Sequence, residues 1–176
     1  YEPIRERATA ITEGDVLLID FWAKRDLPGA VYADYTWMAY VGDEAPKEPA
    51  RIFALAAAAR DTAIAFVRDA VAAGRTIHGW EVDDAARGVI EQAGFGEQFV
   101  HRTGHNIHED VHGEGANMDN YESHETREVL SRTCFSIAPG IYRPDFGVRS
   151  EVNVFIDGAD ILVTGDQQRE MTALLG

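Results

Sequence analysis

The sequence predicts an α+β domain with a curved sheet covered on one side by helices. Three observations carry that reading. Two β-rich runs stand side by side near the start, two helical stretches follow, and the last third alternates short strand-like pieces. At 176 residues the chain is long enough to bury a real core, and residues 1–176 are read as one domain.

The elements follow in order. Residues 15–23 (DVLLIDFWA) and 30–42 (AVYADYTWMAYVG) are rich in β-branched and aromatic side chains. Asp26, Pro28 and Gly29 between them supply turn chemistry, so the pair is expected to form an antiparallel hairpin. Residues 48–74 form the clearest helix, with Ile52, Phe53, Leu55, Ala56, Ala59, Ile64, Val67 and Val71 roughly along one stripe and Gly74 as the stop. A second helix is expected over residues 81–94, stopped by Gly94. A Gly/Asn/Asp-rich loop and a short polar segment around Glu125 precede strand-like runs at 133–142, 147–156 and 160–165. No repeat, low-complexity tract or linker interrupts the chain.

Composition narrows the function classes. A formal net charge of −14 would repel phosphate backbones and argues against a nucleic-acid partner. No apolar run is long enough to span a bilayer and no basic-apolar leader opens the chain, so no membrane association is expected. The single cysteine, Cys134, excludes an intrachain disulfide and fits a cytoplasmic setting; within TCFSI it reads as a small buried hydrophobe, not a nucleophile. The opening YEPIRERATAITEGDV begins in polar, irregular sequence just before a strand and reads as an internal point of a longer polypeptide.

Lone acids in sticky strands are the chemical signal. Asp20 follows four apolar residues in VLLID, Asp34 sits in VYADYT and Glu151 in VRSEVNVF. An ionised carboxylate withdrawn from water costs several kcal/mol unless something offsets it. Strand alternation, with each acid pointing to solvent, is the competing explanation. Four of the six histidines, His101, His105, His108 and His112, crowd into HRTGHNIHEDVHG. Gly104, Thr103 and Asn106 disfavour a helix there, so a strand–turn–strand course is expected, separating the four rings. A divalent cation would offset all the carboxylates together, and mixed imidazole and carboxylate donors suit Mn, Fe, Co or Zn.

These residues resemble the pita-bread metallopeptidases, the family of methionine aminopeptidase, Xaa-Pro aminopeptidase and prolidase. The resemblance rests on LIDFWAK, YADYT, HRTGHNIHEDVHG, FSIAPGIYRPDFGVRSEVNV and ILVTG, in the family's order and over nearly the whole chain. PGIYRPDFGVRSE and the His101–His105 spacing favour the Xaa-Pro branch. The resemblance implies a curved, mostly antiparallel sheet with covering helices, here without its first strand and helices. It implies a metal-dependent hydrolase cleaving proline-containing peptides with metal-activated water, using one or two divalent ions. Asp20, Asp34, His105 and Glu151 would be the metal ligands, Asp34 and Glu151 bridging. His112 would stabilise the tetrahedral intermediate and His101 would line the substrate pocket. Arg149 and Thr36 would orient ligating carboxylates from behind.

The departures are as informative. The family places before PGIY a glutamate that is both ligand and general base, and here that position is Ala138. One ion should therefore bind weakly or not at all, and hydrolysis should be impaired. A peptide-binding protein without hydrolysis, or another metal chemistry on the same scaffold, is the alternative. His108 replaces a common glycine and could supply a ligand, although a surface ring is the simpler reading. Trp22 also stands where glycine is common. Without the family's first strand and helices the sheet would expose an apolar face and a free edge, so a companion chain or a homo-oligomer is expected to cover them.

Overall fold

A hydrophobic seam buried between two helices and a set of antiparallel strands organises the chain, in the computed structural model that describes residues 4–176 apart from the Arg7 side chain. β1 (Val16–Ala23) and β2 (Ala33–Tyr40) form the expected hairpin, in a register that sets Leu18 opposite Met38, Asp20 opposite Thr36 and Trp22 opposite Asp34. Side chains opposite one another share a face. Met38 is fully buried, so Leu18, Asp20, Thr36, Trp22 and Asp34 lie on the inward side of the hairpin. The second strand starts three residues later than the sequence predicts, after an irregular stretch in which the Tyr32 N–H donates to the His108 carbonyl.

α1 (Lys47–Ala72) and α2 (Gly79–Gln92) cover the strands. The α1 stripe buries Ile52, Phe53, Ala56, Ala59, Ala63, Ile64 and Val67, while Leu55 and Val71 are only half-buried. Gly74 adopts φ +63° just past the helix, and the bonds from Arg75 N–H to the Ala70 carbonyl and from Gly74 N–H to the Val71 carbonyl close a Schellman turn. α2 starts two residues before the expected point because Glu81 accepts a hydrogen bond from the His78 N–H at 2.8 Å. Neither helix is long and apolar enough to cross a membrane.

The last third divides more finely than the sequence suggests. Residues 133–142 break at Ala138–Pro139 into β4 (Cys134–Ile137) and β5 (Gly140–Tyr142), and residues 147–156 break at Ser150–Glu151 into β6 (Gly147–Arg149) and β7 (Val152–Asp157). Proline lacks the N–H that a continuous ladder would need. With β3 (Asn106–Ile107), β8 (Asp160–Thr164) and β9 (Thr172–Ala173), the strands form three hydrogen-bonded sheets, ordered β1-β2-β9, β3-β4-β7-β8 and β5-β6. All pairings are antiparallel except β2 with β9.

Two side-chain amides join β2 to the last third. The Asn153 amide accepts from the Asp34 N–H at 3.0 Å and donates to the Asp34 carbonyl at 2.6 Å. The Gln168 amide does the same to Met38, at 2.7 and 2.6 Å. Each amide replaces one rung of a missing strand and satisfies buried backbone groups that would otherwise be orphaned. Arg60, fully buried on α1, donates to Ser150 Oγ at 2.7 Å and to the Gln168 carbonyl at 2.9 Å, fixing the kink between β6 and β7.

The histidine-rich segment is less regular than a strand–turn–strand. It contains only the two residues of β3 and a bridge in which Gly104 and Met118 exchange backbone hydrogen bonds. Gly104 lies so close to β4 that an added Cβ would sit 1.9 Å from the Ser136 carbonyl oxygen. Gly104→Ala is therefore expected to cost about 2 kcal/mol, lowering Tm by about 4–8 °C in a thermal melt.

Candidate metal centre

β2 supplies Asp34, the kink before β7 supplies Glu151, and the turn before β3 supplies His105. One ligand atom from each lies within 4.8 Å of the other two, and all three residues are buried. Burial is the first cause, and the neighbouring Asp34 charge the second, of a Glu151 carboxyl pushed well above the ordinary range. Two buried carboxylates this close cannot both ionise comfortably without positive charge.

Hydrogen bonding fixes how His105 faces them. Its Nδ1 lies 3.1 Å from the Asn106 carbonyl oxygen, an acceptor, so Nδ1 carries the hydrogen and Nε2 of the neutral ring presents a lone pair. Nε2 stands 3.1 Å from Asp34 Oδ2. A lone pair against a carboxylate oxygen repels unless a proton or a cation lies between them. Donors about 2.1 Å from a shared ion and at right angles stand about 3 Å apart. The His105–Asp34 pair has that spacing, and Glu151 completes the group within 4.8 Å. The residues present therefore fit a divalent cation held by three protein donors.

The surroundings orient the carboxylates. Thr36 Oγ1 donates to Glu151 Oε2 at 2.7 Å and accepts from Arg149 Nε at 2.6 Å. The Arg149 guanidinium also pairs with the Asp20 carboxylate, and its Nε lies 3.8 Å from Glu151. Asp20 thus turns to Arg149 and stands outside the tight group of three, with its side chain 41% exposed.

A cleft of about 750 Å³ opens over the cluster. Asp20, Asp34, His101, His105, His112, Arg149 and Glu151, the seven site residues expected from the sequence, all line it, and so does Ala138. His108 instead lines a separate cavity behind β2 and β3, away from the cluster. The His112 ring packs edge-on against His105 with centroids 4.3 Å apart, and burial chiefly lowers its pKa, with the nearby Arg102 charge adding to the effect. His101 donates from Nδ1 to the Arg102 carbonyl at 2.7 Å, so its Nε2 accepts from the Tyr142 hydroxyl at 2.9 Å. Burial holds its pKa down at about 4, leaving the ring neutral. Cys134 is half-buried and its thiol is pushed up to about 11 by burial, which suppresses the thiolate.

Several supporting residues escaped the sequence analysis. Asp83 and Arg87 form a buried pair on α2, with Arg87 Nε 2.8 Å from Asp83 Oδ2. Arg87 donates to the Phe99 and His101 carbonyls at 3.0 and 2.8 Å, and Asp83 accepts from the Thr103 N–H at 2.7 Å. The pair clamps the backbone that delivers His101 and His105. Its signal was an acid and a base four apart on a helical face, a spacing more common on solvated surfaces. Arg102, Glu122 and Tyr142 also belong to this neighbourhood, Arg102 and Glu122 lining the cleft.

Fold and site together define a metal-centre scaffold with a substrate-sized cleft. The chain belongs to metallopeptidase family M24, whose model matches residues 1–158. It is 34% identical over 152 residues to the probable dipeptidase PepE of Mycobacterium tuberculosis (strain ATCC 25618 / H37Rv), covering 85% of this chain and 37% of that protein. It is 45% identical over 73 residues to the Xaa-Pro dipeptidase of Lactobacillus helveticus, covering 40% of this chain and 18% of the relative. The crystal structure of a dipeptidase from Pyrococcus horikoshii OT3 superposes with a TM-score of 0.78 at 30% identity, covering 94% of this chain and 43% of that one. The pita-bread architecture expected from the sequence is thus the observed one. The chain spans less than half the length of each of these relatives.

Two outcomes follow. Arg87→Leu strands the buried Asp83 charge and should cost about 3–5 kcal/mol in denaturant unfolding, whereas Asp83→Leu/Arg87→Leu should recover part of that loss. The depressed His101 pKa means that the unfolded chain takes up a proton near 6.5 while the folded chain waits until about 4. His101 therefore contributes stability that is present above pH 6.5 and drains away toward pH 4, at a slope of at most about 1.4 kcal/mol per pH unit. His101→Gln should flatten that acid limb in unfolding experiments run across the window.

Proposed function

We propose that residues 1–176 act as one catalytic-type domain of a metal-dependent exopeptidase directed at peptides with proline beside the scissile bond. The observation that carries the reading is the buried convergence of Asp34, His105 and Glu151 at the base of the cleft. The family and the printed activity of the Lactobacillus relative support the peptide substrate. One ion of the Mn, Fe, Co or Zn type would sit among these donors, with Asp20 adjoining. When bound, it would supply Lewis acidity to the scissile carbonyl.

The chain's own residues would do the rest. Neutral His112, beside His105, would donate a hydrogen bond to the negative charge developing on the carbonyl oxygen. The His101–Tyr142 pair would form a wall of the substrate pocket, and Arg149 would hold Glu151 through Thr36. Ala138 offers the cleft a methyl group, with neither a ligand atom nor a base to take a proton from water. Turnover should therefore be slow. Peptide binding without hydrolysis is the second reading, and Ala138 is the observation that favours it.

A cytoplasmic setting goes with the lone thiol. A second chain or copy is expected over the outer face of β1, where Ile19 and Phe21 are 47% and 48% exposed.

The decisive measurement pairs metal analysis with turnover. The unaltered chain should retain about one equivalent of metal, and Asp34→Asn or Glu151→Gln should weaken its affinity about 10–100-fold or more. Ala138→Glu should raise Xaa-Pro dipeptide hydrolysis by about 10²-fold or more, the scale of a positioned general base. Metal binding with no hydrolysis after that substitution would assign the domain to the non-hydrolytic reading or to another chemistry.

A further inference from the structure

The peptidase reading leaves one conspicuous group without a task. Trp22 is 55% exposed, yet its indole is not on the outer surface of the hairpin: it lines the cleft. β1 alternates, so Leu18, Asp20 and Trp22 share the inward face while Ile19 and Phe21 point the other way, Phe21 stacking on Tyr35. The register sets Trp22 directly opposite Asp34, a member of the buried cluster. Cross-strand neighbours have Cβ atoms about 5 Å apart, so an indole rooted there flanks whatever is seated on Asp34.

The rest of the lining sharpens the chemistry. Leu18, Val111 and Ala138 supply the other apolar surface, whereas Arg102, Glu122 and the histidines are polar. A large, rigid aromatic surface left half in water beside a polar cluster gains when an apolar group covers it.

We infer that Trp22 is the specificity-determining residue of this cleft, the wall against which a large apolar side chain next to the scissile bond packs. Phenylalanine- or leucine-bearing peptides are favoured over glycine-bearing ones, because only the former cover the indole. The inference rests on the peptide-cleaving reading of the cleft and adds to it the class of side chain selected.

The test does not require turnover. The Mn-loaded chain is titrated calorimetrically with the dipeptides Phe-Pro, Leu-Pro, Ala-Pro and Gly-Pro, in the unaltered form and as Trp22→Phe and Trp22→Gly, with bound metal measured in each. The unaltered chain should bind Phe-Pro and Leu-Pro about tenfold more tightly than Gly-Pro. Trp22→Gly should compress that preference to about twofold with its metal content intact, and Trp22→Phe should keep most of it. An unchanged preference in Trp22→Gly overturns the inference, and altered sedimentation alongside it assigns the indole to a chain–chain contact. An equal loss for all four peptides, or loss of metal, overturns it in favour of a role in holding Asp34. Failure of the unaltered, metal-loaded chain to bind any dipeptide rejects the peptide reading itself, a result distinct from bound peptides that ignore Trp22.

Discussion

Three ionisable side chains held out of water within 4.8 Å of one another are the constraint to which the rest of this structure answers. The Asp34 charge raises Glu151's cost of ionisation, and His105, with Nδ1 on the Asn106 carbonyl, turns Nε2 toward Asp34 at 3.1 Å. The arrangement makes physical sense as a receptacle for positive charge, and the surrounding hydrogen bonds keep it open for one. Arg149 supplies part of that charge from the side, through Thr36 and Asp20, without entering the cluster.

Holding such a cluster requires a rigid frame, and the frame is polar. β2 carries Asp34 but pairs through its backbone with β9 only at Ala39 and Tyr40, and Asn153 and Gln168 supply further buried rungs at Asp34 and Met38. Arg60 reaches from α1 to the kink that presents Glu151, and the Asp83–Arg87 pair reaches from α2 to the turn that presents His105. Each helix therefore does two things. Its apolar stripe covers the sheet, and one buried arginine in or beside that stripe grips the backbone of a site segment. Removing either arginine would leave unpaired polar groups where water cannot reach them.

The sequence made the cluster legible because carboxylates in apolar, strand-like runs such as VYADYT and VRSEVNVF demand an explanation that loop carboxylates do not. The same logic reaches Asn153, a lone amide between two buried valines, whose signal was present and unread. Arg60 was also legible in principle: it falls in step with Phe53, Ala56, Ala63 and Val67 on the buried face of α1, although a helical arginine usually lies in water. Gln168 sits in GDQQRE, where nothing local separates it from its neighbours, and only tertiary contacts reveal its task. The long strands read over residues 133–142 and 147–156 broke for reasons of the same kind. Pro139 announced one break, while the Ser150 kink depends on an arginine from a distant helix.

The amide brackets on β2 tie residues 119 and 130 positions apart in the chain. Contacts of that separation close late, after most of the polypeptide is available to make them. The first hairpin can zip up early, but Asp34 gains its final place only when the C-terminal strands arrive. A nascent chain emerging from a ribosome thus carries no preformed receptacle for a stray cation, and the buried cluster is a property of the finished fold.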